Sequence, residues 1–162
     1  MTARNRKLHG FTLVEILIVV VILGILAAIV IPQFTNASES AKLSSLSSQL
    51  QTIRSQLELY QVQHKGGYPT IDATWTKLTL FTDVDGNTNA TKTSTFKFGP
   101  YLQQAPVNPF EASATTGAAA AAGVGWTYVQ STGVIKAVLS TTKATELNVA
   151  AGNDFATYAA AP

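Results

Sequence analysis

The chain has 162 residues, of which 46% are apolar and only 12% charged, with 11 Lys and Arg against 9 Asp and Glu. That length fits one modest domain, and a net charge of +2 is too small for an electrostatic nucleic-acid binder. With no cysteine, and with its two histidines (His9 and His64) far apart in sequence, the chain has no thiol nucleophile, disulfide or thiolate metal site, and most metalloenzyme readings end there.

The positive balance is local. Arg4, Arg6 and Lys7 crowd into the first ten residues without an acid, and beyond residue 10 the chain carries eight basic against nine acidic side chains. From Phe11 to Ile31 the only polar side chains are Thr12 and Glu15. A helix over this stretch would be roughly 31 Å long, the thickness of a bilayer's hydrocarbon core. The basic flank predicts a cytoplasmic N-terminus, with everything after Pro32 on the other side. Two plainer readings compete: a cleaved secretory signal, with Thr35-Asn36-Ala37 as its small-residue site, and a plain single-span anchor. Against the first, the apolar stretch exceeds a signal-peptide core and a helical pattern runs on through the cleavage point. Against the second stands Glu15, because an acid in a lipid-compatible helix demands a partner. The nearest base on its C-terminal side is Lys42, so that partner is expected in the leader or in another molecule.

Lys7-Leu8-His9-Gly10 followed by Phe11-Thr12-Leu13-Val14-Glu15 resembles the prepilin cleavage signature of type IV pilins and type II secretion pseudopilins. The resemblance implies that a membrane-embedded prepilin peptidase cuts between Gly10 and Phe11, and that the new Phe11 amine is methylated. It also implies that the Phe11 amine of a neighbouring subunit is the positive partner of Glu15. Subunits would then pass from the bilayer, by way of an inner-membrane assembly platform, into a helical filament. Gly24 and Pro32 fall where family filaments have a partly melted helix, so the implied assembly set is Phe11, Glu15, Gly24 and Pro32. Taken by itself, Pro32 removes the hydrogen bond to the Ala28 carbonyl and predicts a kink, and a simple bend at the membrane exit is an equal reading.

Leu43, Leu46, Leu50, Ile53, Leu57 and Tyr60 recur at helical spacing with Ser, Gln, Arg and Glu between them. This stripe predicts that the helix continues past the membrane and packs on a sheet, in preference to a coiled-coil seam of barely three heptads. Gly66 and Gly67 suit its C-terminal stop and Lys65 its negative end, which makes residues 11–65 a helix of roughly 80 Å. The organisation read from the chain is a leader over 1–10, a membrane and filament-core helix over 11–32, an amphipathic continuation over 33–65, and a β-rich part over 66–162. The fold class is α+β, with the C-terminal half of the long helix packed on a small antiparallel sheet.

Downstream, Gly66-Gly67-Tyr68-Pro69-Thr70 opens a loop and Thr95-Phe96-Lys97-Phe98 alternates like a strand. Residues 125–130 and 134–139 flank Ser131-Thr132-Gly133 as a hairpin of unassigned register. Residues 99–110, GPYLQQAPVNPF, resemble a proline-rich loop of major pseudopilins, and their three prolines predict a rigid crossing at the sheet edge. Asp83, Asp85 and Asn87 alternate oxygen side chains and form a calcium candidate, but they lack the glycine and distant glutamate of an EF-hand loop, and an Asx turn is the favoured reading. His64, near a helix end, is expected to be a capping or surface residue. Residues 112–123 read as an Ala-rich insertion or flexible tip, and those after Ser140 receive no assignment.

The absence of a cysteine pair leans toward a pseudopilin, while the acid-rich C-terminal calcium loop of many major pseudopilins is missing, with only Asp154 beside Asn153. The expectation is a non-catalytic, cofactor-free subunit of a periplasmic pseudopilus in a type II secretion system, driving protein export, anchored in the inner membrane by one span. A type IV pilus fibre subunit serving adhesion, motility or DNA uptake is the nearest alternative. A monomeric membrane-tethered binding module is the alternative from another class.

Overall fold

The computed structural model describes residues 11–159. The leader over 1–10, Gly10 included, lies outside the described residues. The chain divides into two compact units, Met1–Glu39 and Ser40–Pro162. One helix, α1 (Leu13–Gln63), contributes to both.

In the first unit α1 is unbroken through Gly24 and Pro32. A proline removes one bond of the ladder, and the flanking turns, rich in Ile, Leu, Val and Ala, keep theirs. Every residue over 11–38 is exposed. A Cβ built at Gly24 meets nothing within 4 Å, so no packing among the described residues requires glycine there.

In the second unit the helix obeys a different pattern. Leu46, Leu50, Ile53, Leu57 and Tyr60 are all buried in one stripe, the face expected from their spacing. Ser44, Ser48, Thr52 and Ser55, on the exposed side, return their hydroxyls to the carbonyl four residues earlier. The helix ends as Lys65 and Gly66 turn left-handed (φ 56° and 81°) and the Gly66 amide reaches back to the Gln61 carbonyl, 3.0 Å.

The stripe packs on a four-stranded sheet of order β3-β4-β5-β6, with β3 at Thr116–Gly117, β4 at Trp126–Val129, β5 at Val134–Ser140 and β6 at Phe155–Tyr158. The hairpin β4–β5 is antiparallel, with Trp126 opposite Ala137 and Tyr128 opposite Ile135. That register puts Trp126 and Tyr128 on the core face together with Ile135, Ala137 and Leu139. The outer strands depart from the expected antiparallel sheet, since β3 and β6 each run parallel to their neighbour. For β6 the reason is the connection: α3 (Thr141–Glu146), N-capped by the Ser140 hydroxyl at 3.2 Å from the Lys143 amide, carries the chain back before β6 begins. The Ala-rich stretch is thus not simply a tip, because its Thr116–Gly117 joins the sheet. A second small sheet pairs β1 (Phe81–Thr82) with β2 (Thr88–Asn89). The strand expected over 95–98 reduces to a single bridge of Phe98 with Thr82, since β1 offers only two residues to pair with.

Loops pin this arrangement through buried polar groups. Asn108, wholly buried, donates to the carbonyls of Gly125 (2.9 Å) and Val138 (2.7 Å) and accepts from the Phe110 amide (2.9 Å). Gly125 is needed beside it, because a Cβ there would run into the Ser113 carbonyl. Trp75 and Trp126 meet edge to face at 6.4 Å, their indole N–H groups donating to Ala114 O and Pro106 O. At the hairpin turn the Tyr68 ring lies where a Cβ on Gly133 (φ 69°) would stand. His64 caps the helix end as one of its two expected roles, but it is not on the surface: it is 6% exposed, stacked on Tyr60 at 3.7 Å. Its Nδ1 donates to the Tyr60 carbonyl (2.8 Å) and Nε2 faces Thr82 Oγ1 (2.9 Å), tying the helix end to β1. Spacing hid this because the partner is local on one side and 18 residues distant on the other.

Replacing Asn108 by Ala leaves the Val138 carbonyl and the Phe110 amide without their partner, while the Gly125 carbonyl keeps the Val138 amide (3.0 Å), and should destabilise the chain by about 2–4 kcal/mol, read as a lowered melting temperature in detergent. A second expectation concerns Asp72, just before α2 (Thr76–Thr79). Although partial burial opposes ionisation, donors from the amides and hydroxyls of Thr76 and Thr74 bring its carboxyl down to about 2. A depressed carboxylate stabilises the fold fully above its unfolded value and loses that contribution as pH falls. Melting curves should therefore show a loss between about pH 4 and pH 2 that Asp72→Asn removes.

Candidate functional site

The assembly residues that the resemblance implies begin the first unit. Phe11, 83% exposed, and Thr12 precede the helix, and Glu15 lies in its first turn. Glu15 Oε2 accepts from the Thr12 amide and the Thr12 hydroxyl, both at 2.7 Å, while Thr12 Oγ1 accepts from the Glu15 amide at 3.2 Å. This is a reciprocal capping box, in which each residue satisfies an amide that the helix end leaves orphaned. It corrects one expectation, since Glu15 has donors within its own helix and need not look to the leader or another molecule for all of them. The signal was present as Thr-x-x-Glu ahead of an apolar run. A carboxylate at this position also faces the positive end of the helix dipole.

Beyond the cap, the first half of the helix presents apolar surface. Its best 18-residue window has a mean hydropathy of 3.3 and none of it is buried within the chain. Among the described residues this is the one helix long and apolar enough to cross a membrane. Gly24 and Pro32 lie on it and make no contact that gathers them with Glu15.

The calcium candidate is a structural turn. Asp83 accepts from the amides of Asp85 and Asn87, each at 2.9 Å, and from the Asn87 side chain at 2.8 Å. These donors, that of the Asn87 side chain foremost, hold its carboxyl below the usual carboxylate range. Asp85 pairs with the ammonium of Lys65, which raises the lysine above its ordinary value. The carboxylates are thus turned to amides and an ammonium, and no cluster of three His, Cys, Asp or Glu suited to a metal occurs among the described residues. Sequence reading passed over Arg54 and Asn108, whose partners lie on distant segments.

Comparison with known proteins bears on the N-terminal segment first. The prokaryotic N-terminal methylation motif matches residues 5–31, a span that holds Gly10, Phe11, Glu15 and Gly24. The chain is 34% identical over 107 residues to the type II secretion system core protein G of Pseudomonas aeruginosa, covering 66% of this chain and 71% of that protein. It is 31% identical over the same length to the protein of that name from Aeromonas hydrophila, with the same coverage. It is also 34% identical over 96 residues to the major component of a type IV narrow pilus of Thermus thermophilus, covering 52% of this chain and 83% of that protein. No solved structure matches the chain at a significant level. The capped glutamate at the head of an exposed apolar helix, the methylation motif around it and these relatives converge: the chain belongs to the type IV pilin and type II secretion pseudopilin family.

Proposed function

We propose that this chain is a non-catalytic filament subunit, a pseudopilin of a type II secretion system, that assembles through its N-terminal helix to drive protein export. The observation that carries the reading is an apolar helix surface over residues 11–38 that the chain leaves entirely exposed, headed by a capped carboxylate. Exposed apolar area on this scale needs a bilayer, sister helices, or each in turn. The similarity to core protein G supports the secretion role. In this reading prepilin peptidase cuts after Gly10, the Phe11 amine is methylated, and an inner-membrane platform feeds subunits into a periplasmic filament from a single-span anchored pool. Glu15 then has two states. In the membrane its Oε2 is held by Thr12, and in the filament the second oxygen receives the Phe11 amine of a neighbour, which fixes the stagger of one subunit on the next. Gly24 and Pro32 weaken the intervening helix so that it can loosen as subunits pack. A type IV pilus fibre is the second reading, favoured by the 83% coverage of the Thermus thermophilus pilus component, and long extracellular filaments would select it.

Mass spectrometry of the protein from its membrane should find a chain beginning at methylated Phe11, and an intact Met1 or a start after Ala37 would overturn the processing. Glu15→Val should abolish co-assembly with wild-type subunits, measured by crosslinking of sheared filaments. A membrane-tethered monomer would lose nothing by the same change. Thr12→Val should weaken the helix start by about 1 kcal/mol, seen as roughly fivefold faster exchange of the Glu15 amide in micelles, whereas Thr12→Ser should keep it.

A further inference from the structure

The central strand β5 is longer than its outer neighbour. It runs over Val134–Ser140, yet β6 pairs only with Ala137 through Ser140. In an antiparallel ladder successive residues turn their backbone groups to alternate sides, and Ile135, in register with Tyr128, points its groups away from β4. Among the described residues no strand stands opposite Ile135 on that side, although the residue is wholly buried. What stands there is a side chain from α1. Arg54 Nη2 donates to the Ile135 carbonyl (3.0 Å) and to the Asn153 carbonyl (2.7 Å), and Nη1 donates to Asp154 Oδ1 (2.6 Å). The ladder proper begins at once beyond it, where the Ala137 amide donates to the Asp154 carbonyl, 2.9 Å.

We propose that Arg54 is a latch: its guanidinium closes the stretch of β5 edge that β6 does not reach and holds the C-terminal strand to α1. The planar fork can serve three oxygens from two segments at once, which an ammonium on a flexible stem cannot do with the same geometry. The strand has few other holds. All four of its residues are only half-buried. Besides its ladder it is tied by Tyr158, whose hydroxyl lies about 3 Å from both Glu111 carboxylate oxygens and whose carbonyl accepts from Thr141 Oγ1 at 2.9 Å. A cleft of about 350 Å³ opens beside the latch, lined by Arg54, Leu57, Tyr68, Val134, Lys136 and Asn153.

The test is amide hydrogen exchange on the full mature chain in detergent micelles. Arg54→Ala should speed exchange about tenfold or more in peptides covering 134–139 and 153–158 while leaving 101–110 within about twofold. Arg54→Lys should fall between that variant and wild type. Asp154→Asn keeps both carbonyl bonds and should give a smaller rise confined to 153–158. Unchanged exchange over 153–158 in Arg54→Ala, or a rise shared equally by 101–110, overturns the latch. Should Arg54→Ala not fold, Asp154→Asn decides, and equal exchange over 153–158 and 101–110 overturns it.

Discussion

The C-terminal unit depends on one apolar contact, the stripe from Leu46 to Tyr60 laid on the inner face of β4 and β5. Each of these side chains gains about 1.5–3 kcal/mol by leaving water, and together they outweigh any single polar tie in the unit. The polar ties also presuppose that contact. Arg54 reaches Ile135 from between Ile53 and Leu57, and His64 reaches Thr82 from one turn beyond Tyr60. The first half of the same helix has no such surface within the chain and remains exposed on all sides. Along α1 an all-round apolar run thus gives way to a one-sided apolar stripe.

The capping box alters how the family's buried acid is understood. A carboxylate in a lipid-compatible helix looks unpaired if only charges are counted, yet Thr12 offers it two donors at 2.7 Å. A helix start that is already satisfied can wait in the bilayer at a lower cost than an isolated acid. Under the proposed assembly, an intermolecular amine would add register to a group whose donors Thr12 already supplies.

Features legible in the sequence were those whose cause is local. The stripe survives as 3–4 spacing from Leu46 to Tyr60, and the hairpin survives because Ser131-Thr132-Gly133 separates two alternating segments. The Thr12-x-x-Glu15 pair is equally local, but a count of charges sees only the acid and not a helix cap. The rest has distant causes. The oxygens that Arg54 serves lie 81 to 100 residues away, and Asn108 joins carbonyls 17 and 30 residues on. The strands β3 and β6 are two and four residues long and parallel, so no turn announces them and their composition of Thr, Gly, Ala and aromatics fits a loop as well. Thr95 to Phe98 has the better alternation and forms one bridge, because pairing needs a neighbour as long as itself.

The meeting of Tyr68 with Gly133 carries a consequence for how such a chain can drift. The ring occupies the space a larger residue at the turn would need, and the turn's left-handed backbone disfavours that residue on its own account. Shrinking the ring would relieve the first obstacle and leave the second. The two positions are therefore bound asymmetrically: the aromatic can be lost while the glycine stays, but the glycine is held by its backbone even after the aromatic has gone.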